Sequence, residues 1–164
     1  MKKKKRGQIQ LSFGMIFSII IIIATVAIGF YVITYFLNLS SCTKVGLFWD
    51  SLNGEVDKAW NSDIVQTLFK GDVPSGITNV CFGNFSQGQK IADADKEFFT
   101  ELKDYAATER NAYLYPPGKA CDIAFYSLKH ARTDNFFCVP SKSGIINVKL
   151  SKTSSEALAK LSKP

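Results

Sequence analysis

The sequence predicts an α+β protein: a long amino-terminal helix, first transmembrane and then amphipathic, packed on a small antiparallel sheet of about four strands with one further helix. Three observations support this prediction. The segment Leu11 to Leu37 contains no charged residue. Apolar residues then recur at steps of three and four, which is helical periodicity. Beyond Pro117, short apolar runs alternate with turn residues, as in antiparallel sheets.

The apolar segment 11–37 is long enough to be a membrane anchor. Roughly 27 helical residues at about 1.5 Å each exceed the ~30 Å hydrocarbon core of a bilayer. The apolar region of a secretory signal is shorter, about 7 to 15 residues. The sequence therefore predicts a retained transmembrane helix over 11–37.

A basic run, Lys2 to Arg6, precedes this helix and sets its predicted orientation. Loops rich in Lys and Arg are retained on the cytoplasmic side. Residues 1–10 are therefore predicted to be a cytoplasmic tail or signal, and residues 38–164 an extracytoplasmic domain at the cell membrane. The run accounts for most of the net charge of +6, since removing its five charges leaves about +1. No basic patch interleaved with aromatic residues remains, so no nucleic-acid partner is expected.

The domain is predicted to begin with an amphipathic helical stalk over 38–60. The apolar residues at helical spacing there are Val45, Phe48, Leu52, Val56 and Ala59. A second helix is predicted around Ile91 to Tyr105, ending before Pro116 and Pro117, because consecutive prolines cannot continue a helix.

The strands are predicted from short apolar runs bounded by turn signals. The run from Ile64 to Phe69 is of uncertain type, and Ser154 to Ser162 resembles a weak terminal helix. Short connections favour hairpins between the later strands. The strand candidates are Ile77–Phe82, Cys121–Leu128, Asn135–Val139 and Gly144–Leu150.

All four cysteines follow the apolar segment: Cys42, Cys81, Cys121 and Cys138. An even number of cysteines in an extracytoplasmic domain predicts two disulfides, whose connectivity the sequence leaves open among three pairings. The alternatives are buried free thiols or a zinc site. Zinc is disfavoured because no pair has CxxC spacing and the chain has one histidine.

Small residues form a strip along the predicted membrane helix. Gly14, Ser18, Thr25 and Gly29 fall within roughly a 60° arc at about 100° per residue. Such strips allow close packing of helices in membranes. The strip therefore predicts self-association or association with another membrane helix, although four small residues can also coincide by chance.

The amino terminus resembles archaeal type IV pilin-like proteins with a class III signal. The resemblance rests on the basic run, on Gly7 followed by Gln8, and on a long apolar helix that continues as an amphipathic one. It implies cleavage between Gly7 and Gln8 and assembly of the apolar helices into a filament core. The chain departs from the family at the fifth mature position, where Ser12 replaces the usual glutamate.

No catalytic signature stands out. His130 lies near Ser127 and Asp134 in sequence, but in a predicted loop, so we expect a solvated turn rather than a catalytic triad. Glu97 and Glu101 are one helical turn apart beside lysines, which indicates a solvated helix face. The glycines that follow Phe82 do not belong to a phosphate-binding loop motif. We expect neither an enzyme nor a bound metal or cofactor.

Two modifications are considered. The sequon at Asn84 is a possible glycosylation site, whereas Asn38 is close to the bilayer. The residues before Cys42 resemble a lipobox, so a lipoprotein acylated at Cys42 is one alternative. The sequence thus predicts a single-pass, pilin-like membrane protein acting by assembly or surface contact, with a monomeric membrane-anchored binding module as the other alternative.

Overall fold

The computed structural model describes residues 13–85, 91–104 and 110–164, with only the backbone of Asn38. Its longest element is helix α1, Phe13–Trp60, of 48 residues. The chain divides into two compact units, one ending at Leu39 and the other running from Ser40 to Pro164. The basic run, Gly7, Gln8 and Ser12 lie outside the described residues.

The described part of the unit ending at Leu39 is the apolar part of α1. Its large apolar side chains, from Phe13 to Leu39, are exposed. An isolated helix in water would not retain such a surface, because each Å² of exposed apolar area costs about 25 cal/mol. This part of the chain therefore requires an apolar environment or other helices.

In the second unit, α1 is amphipathic as predicted. Its apolar stripe is fully buried and consists of Val45, Phe48, Trp49, Leu52, Val56 and Ala59. The Trp49 indole stacks on Tyr126 with ring centroids 5.2 Å apart, and its Nε1 donates a hydrogen bond of 2.8 Å to the carbonyl of Ile123. The stripe thus becomes the centre of the domain core.

Among the described residues, eight strands and one further helix complete the domain. The helix is α2, Lys96–Lys103, and 3-10 turns occur at Asp93–Asp95, Pro117–Lys119 and Cys121–Ile123. The strands are β1 Val65–Asp72, β2 Asn79–Phe82, β3 Ala112–Tyr115, β4 Phe125–Tyr126, β5 Ala131–Arg132, β6 Phe137–Pro140, β7 Ile145–Lys152 and β8 Ala159–Ser162.

The strands form two four-stranded sheets. Sheet 1 has the order β1-β7-β8-β5 and sheet 2 the order β4-β3-β2-β6. All pairs are antiparallel except β5 with β8. One face of sheet 2 joins the inner face of sheet 1 and α1 in a common core, and its other face packs Tyr113 and Phe136 against Leu102 of α2.

The predicted α+β class, with a long helix and one further helix, is confirmed. The described strands differ from the expected single sheet because they form two sheets, one with a parallel pair. The helix expected over Ser154 to Ser162 is wrong, since β8 pairs with β7 there. The expected hairpins are also wrong, because β6 pairs with β2 rather than with its neighbours in sequence.

Candidate functional site

The apolar part of α1 is the first candidate. Among the described residues, one helix is long and apolar enough to cross a membrane, and its most apolar window is entirely exposed. Tyr31 and Tyr35 stack one turn apart near the end of this stretch, with centroids 6.5 Å apart. Tyrosines are enriched where membrane helices meet the interface. The sequence analysis did not identify this pair, although the two tyrosines stand one helical turn apart in the sequence.

The strip of small residues remains exposed in the single chain. The Ser18 hydroxyl donates to the carbonyl of Gly14 at 2.9 Å, and the Thr25 hydroxyl donates to the carbonyl of Ile22 at 2.9 Å. A methyl group added at Gly29 would meet nothing within 4 Å. Both hydroxyls therefore have a hydrogen-bond partner within the helix. The strip needs no hydrogen bond from another molecule.

The four cysteines form two disulfides, as their even number predicted. Cys42 is bonded to Cys121, and Cys81 to Cys138. Cys81 and Cys138 are direct partners across β2 and β6, whereas Cys42 joins α1 to the 3-10 turn before β4. A sulfur in a disulfide carries no lipid, so this pairing argues against acylation of Cys42.

His130 is held by the end of α1. Its Nδ1 lies 2.7 Å from Oδ1 of Asp57, and its ring stacks on Trp60 with centroids 3.8 Å apart. Asn53 donates to the other Asp57 oxygen at 3.0 Å. His130 lies in a partly exposed turn, as expected, but the turn also packs on α1, which supplies both the carboxylate and the indole that contact the ring.

Asp134 is not the partner of His130. It accepts one hydrogen bond from Arg132 and pairs with Lys160. The hydrogen bond and charge of Lys160, followed by those of Arg132, lower the pKa of Asp134. Arg132 also donates to Glu156. The arrangement is a network of ion pairs at the end of β5 and β8, and Ser127 is not brought into a triad by any contact described for His130.

Glu156 is the residue of this network whose carboxyl pKa is shifted most. Its pKa is lowered to about 2, first by the hydrogen bond from Arg132 and then by those from the backbone and side chain of Thr153. The two Thr153 bonds measure 2.8 and 3.0 Å. The carboxylate thus closes the turn between β7 and β8.

Asp95 is the buried charged residue among those described, with 3% of its surface exposed. Lys163 donates to its two oxygens at 2.8 and 3.2 Å, and the backbone amide of Cys138 lies 3.4 Å from Oδ1. This ion pair ties the turn before α2 to the residues after β8. Its position indicates a structural role.

Glu97 and Glu101 lie on the exposed face of α2, as expected. Glu101 additionally accepts a hydrogen bond of 2.7 Å from the Tyr115 hydroxyl, and that bond is the main reason why the pKa of Tyr115 is raised. Within the parts of the chain that the structure describes, no group of three or more His, Cys, Asp and Glu side chains is placed to hold a metal ion. Asn84 is exposed.

An open cavity of about 440 Å³ lies between α1 and the end of β1. Lys44, Leu47 and Ser51 line it from α1, and Lys70, Asp72 and Ser75 line it from β1 and the turn that follows. Sequence analysis did not identify this site, because Lys44 and Lys70 are far apart in sequence and neither belongs to a motif. The two lysines make the cavity a candidate site for an anion.

The chain matches no protein family model, no curated protein and no solved structure.

Proposed function

We propose that this chain is a single-pass membrane protein that displays its disulfide-bonded domain on the extracytoplasmic side and acts by assembly or surface contact rather than by catalysis. The observation that carries the proposal is the exposed apolar stretch of α1, which belongs to the same helix as the core stripe of the domain. A lipid bilayer or a bundle of like helices would cover that surface.

The disulfides support the extracytoplasmic location. Disulfides persist in oxidising compartments and are rare in the cytosol. The basic run Lys2 to Arg6, which lies outside the described residues, supports the same orientation because such runs stay on the cytoplasmic side. Both arguments support a domain on the opposite side of the membrane from the amino terminus.

The strip of Gly14, Ser18, Thr25 and Gly29 supports helix-to-helix assembly. Small residues let helix backbones approach closely in a membrane, where dispersion contacts drive association. The internal hydrogen bonds of Ser18 and Thr25 leave this surface without unmet polar groups. The Gly7-Gln8 resemblance supports a pilin-like form of assembly in which the mature chain begins at Gln8.

The decisive experiment compares two double variants expressed in native membranes. Gly14→Leu with Ser18→Leu fills the strip, whereas Ile16→Leu with Ile20→Leu changes the opposite face and serves as the control. We expect all forms to resist alkaline carbonate extraction. We also expect cross-linked oligomers or filaments in electron micrographs for wild type and control, and monomers for the strip variant.

The outcomes separate the parts of the proposal. Release of the wild-type protein by carbonate would refute the anchor. Monomers in every form, with the protein still in the membrane, would refute assembly. Intact mass would test processing, because cleavage after Gly7 removes seven residues and a full-length chain would argue against a class III signal.

The second candidate function is a monomeric anchored binding module. The cavity beside Lys44 and Lys70 is the observation that favours it. A monomer in detergent that retained a specific ligand or surface partner would support this function.

A further inference from the structure

The cavity between α1 and β1 combines two cations with an apolar wall. Lys44 and Lys70 supply the positive charge, Ser51 and Ser75 supply hydroxyls, and Leu47 supplies the apolar surface with 61% of its area exposed. Asp72 is the one carboxylate among its lining residues. The lining thus carries a net charge of +1 beside an exposed aliphatic side chain.

Neither lysine is neutralised within the described chain. Lys44 and Lys70 form no ion pair there, whereas Lys58, Lys96, Lys160 and Lys163 each contact a carboxylate. Both side chains are exposed and reach the same cavity from different elements. An anion in the cavity could bind both lysines, and neither lysine would first have to leave another ion pair.

The position of Lys44 in the chain indicates which anion is available. It lies two helical turns after Leu37, the last residue of the predicted membrane segment, in the same continuous helix. Basic residues just beyond a membrane-spanning stretch are attracted to anionic headgroups, and each contributes about fivefold to binding near the surface. Leu47, one turn further on the same helix, adds an apolar contact that a free anion would not use.

We propose that this cavity binds the phosphate of an anionic lipid headgroup from the membrane that α1 spans. The inference rests on the proposed membrane anchoring and adds to it a specific lipid contact for the domain. Lys44 and Lys70 contact the phosphate oxygens, and Leu47 contacts the aliphatic part of the lipid. Asp72 opposes binding and limits its strength.

The test uses the full chain in a neutral detergent, with phosphatidylglycerol or phosphatidylcholine added and bound lipid measured by native mass spectrometry. The variant is Lys44→Gln with Lys70→Gln. The control is Lys103→Gln with Lys129→Gln, two exposed lysines away from the cavity. Lys2 to Arg6 also attract anionic lipid in an uncleaved chain, but the double variants do not differ there, so the difference between them isolates the cavity.

We expect the cavity variant to bind phosphatidylglycerol at least about fivefold more weakly than the control. We expect phosphatidylcholine binding to be unchanged and Asp72→Asn to strengthen phosphatidylglycerol binding. Equal phosphatidylglycerol binding by the two double variants, with both disulfides intact by mass, would overturn the proposal. Displacement of the lipid by glycerol phosphate at equal concentration would also overturn it, since a free phosphate would then suffice. Carbonate extraction tests the anchor separately, so a chain that stays in the membrane but shows no lysine effect refutes only the headgroup site.

Discussion

The indole ring of Trp60 lies face to face with the imidazole of His130, with centroids 3.8 Å apart and planes inclined by 6°. Asp57, about one turn earlier on α1, holds the His130 ring through Nδ1. The Trp60 Nε1 donates to the carbonyl of Ala157 at 3.0 Å, and the amide of Ala159 donates to the carbonyl of His130 at 2.9 Å. The last turn of α1 is therefore joined to both β5 and β8.

This stack predicts a measurable coupling between Trp60 and His130. Trp60→Ala and His130→Ala should each lower the free energy of unfolding by about 1 to 3 kcal/mol. The double variant should show a coupling of about 0.5 to 1.5 kcal/mol, the range for aromatic pairs. Urea unfolding followed by circular dichroism measures all four forms. A second double-mutant cycle, of Trp60 with the exposed Lys129, should show no coupling energy. Equal coupling energies in the two cycles would contradict the stacking of Trp60 on His130.

Glu156 predicts a dependence of stability on acid. Because folding lowers the pKa of this carboxyl from 4.5 to about 2, its contribution is fully present above pH 4.5 and is lost as the pH falls toward 2. Glu156→Gln removes that contribution at neutral pH. The melting temperatures of wild type and variant should therefore differ at pH 7 and converge toward pH 2. A gap of constant size across this range would show that Glu156 does not act through its charge.

The two disulfides should differ little in their contribution to stability. Their cysteines are 79 and 57 residues apart, and loop-closure entropy changes only slowly with length. Replacing either pair by alanine should cost about 2 to 4 kcal/mol. Chemical unfolding of each double variant tests this, and peptide mapping without reduction should recover Cys42 linked to Cys121. A peptide linking Cys42 to Cys81 would contradict the structure.

Two leucines of α1 offer a matched comparison. Leu52 is fully buried in the domain core, whereas Leu47 is largely exposed. Leu52→Ala should lower the free energy of unfolding by about 2 to 5 kcal/mol, because it removes buried contacts and leaves a cavity. Leu47→Ala should cost less than about 0.5 kcal/mol. Similar losses for the two variants would mean that the helix buries a different face.

The ion pair of Asp95 and Lys163 predicts that a single and a double variant differ in stability. Lys163→Met leaves the buried Asp95 carboxylate without its cation and should cost about 1 to 3 kcal/mol. Adding Asp95→Asn should recover part of that loss, because it removes the uncompensated charge. The unfolding midpoints of the single and double variants show which of them is more stable. A double variant less stable than Lys163→Met would show that the carboxylate has a further partner besides Lys163 and the Cys138 amide.

Local periodicity predicted the helices better than the strands. The spacing of Val45, Phe48 and Leu52 identified the buried stripe of α1 because a helix face repeats within a few residues. The prediction of a helix ending at Ser162 is wrong, although Ala159 and Leu161 alternate with half-buried polar neighbours as in a strand. The local pattern is short, and the segment becomes a strand because it pairs with residues 149–151 of β7.

The contacts of the candidate sites could not be predicted from sequence, because they join distant residues. Asp57 and His130 are 73 residues apart, and Asp95 and Lys163 are 68 apart. No local pattern encodes such a pair, and Asp134, the carboxylate nearer to His130 in sequence, pairs with Arg132 and Lys160 instead. The cysteine number predicted two disulfides, whereas their connectivity depended on which strands of sheet 2 are adjacent.

The pairing of β1 with β7 has a consequence for biosynthesis. Residues 65–72 find their partner only at residues 145–152, and β7 in turn pairs with β8 at 159–162. A ribosome releases the chain from its amino terminus, so the helix stripe and β1 emerge long before the strands that complete sheet 1. Sheet 1 therefore cannot be completed until residues 159–162 have emerged, so β1 stays without its partner while residues 73–144 are synthesised.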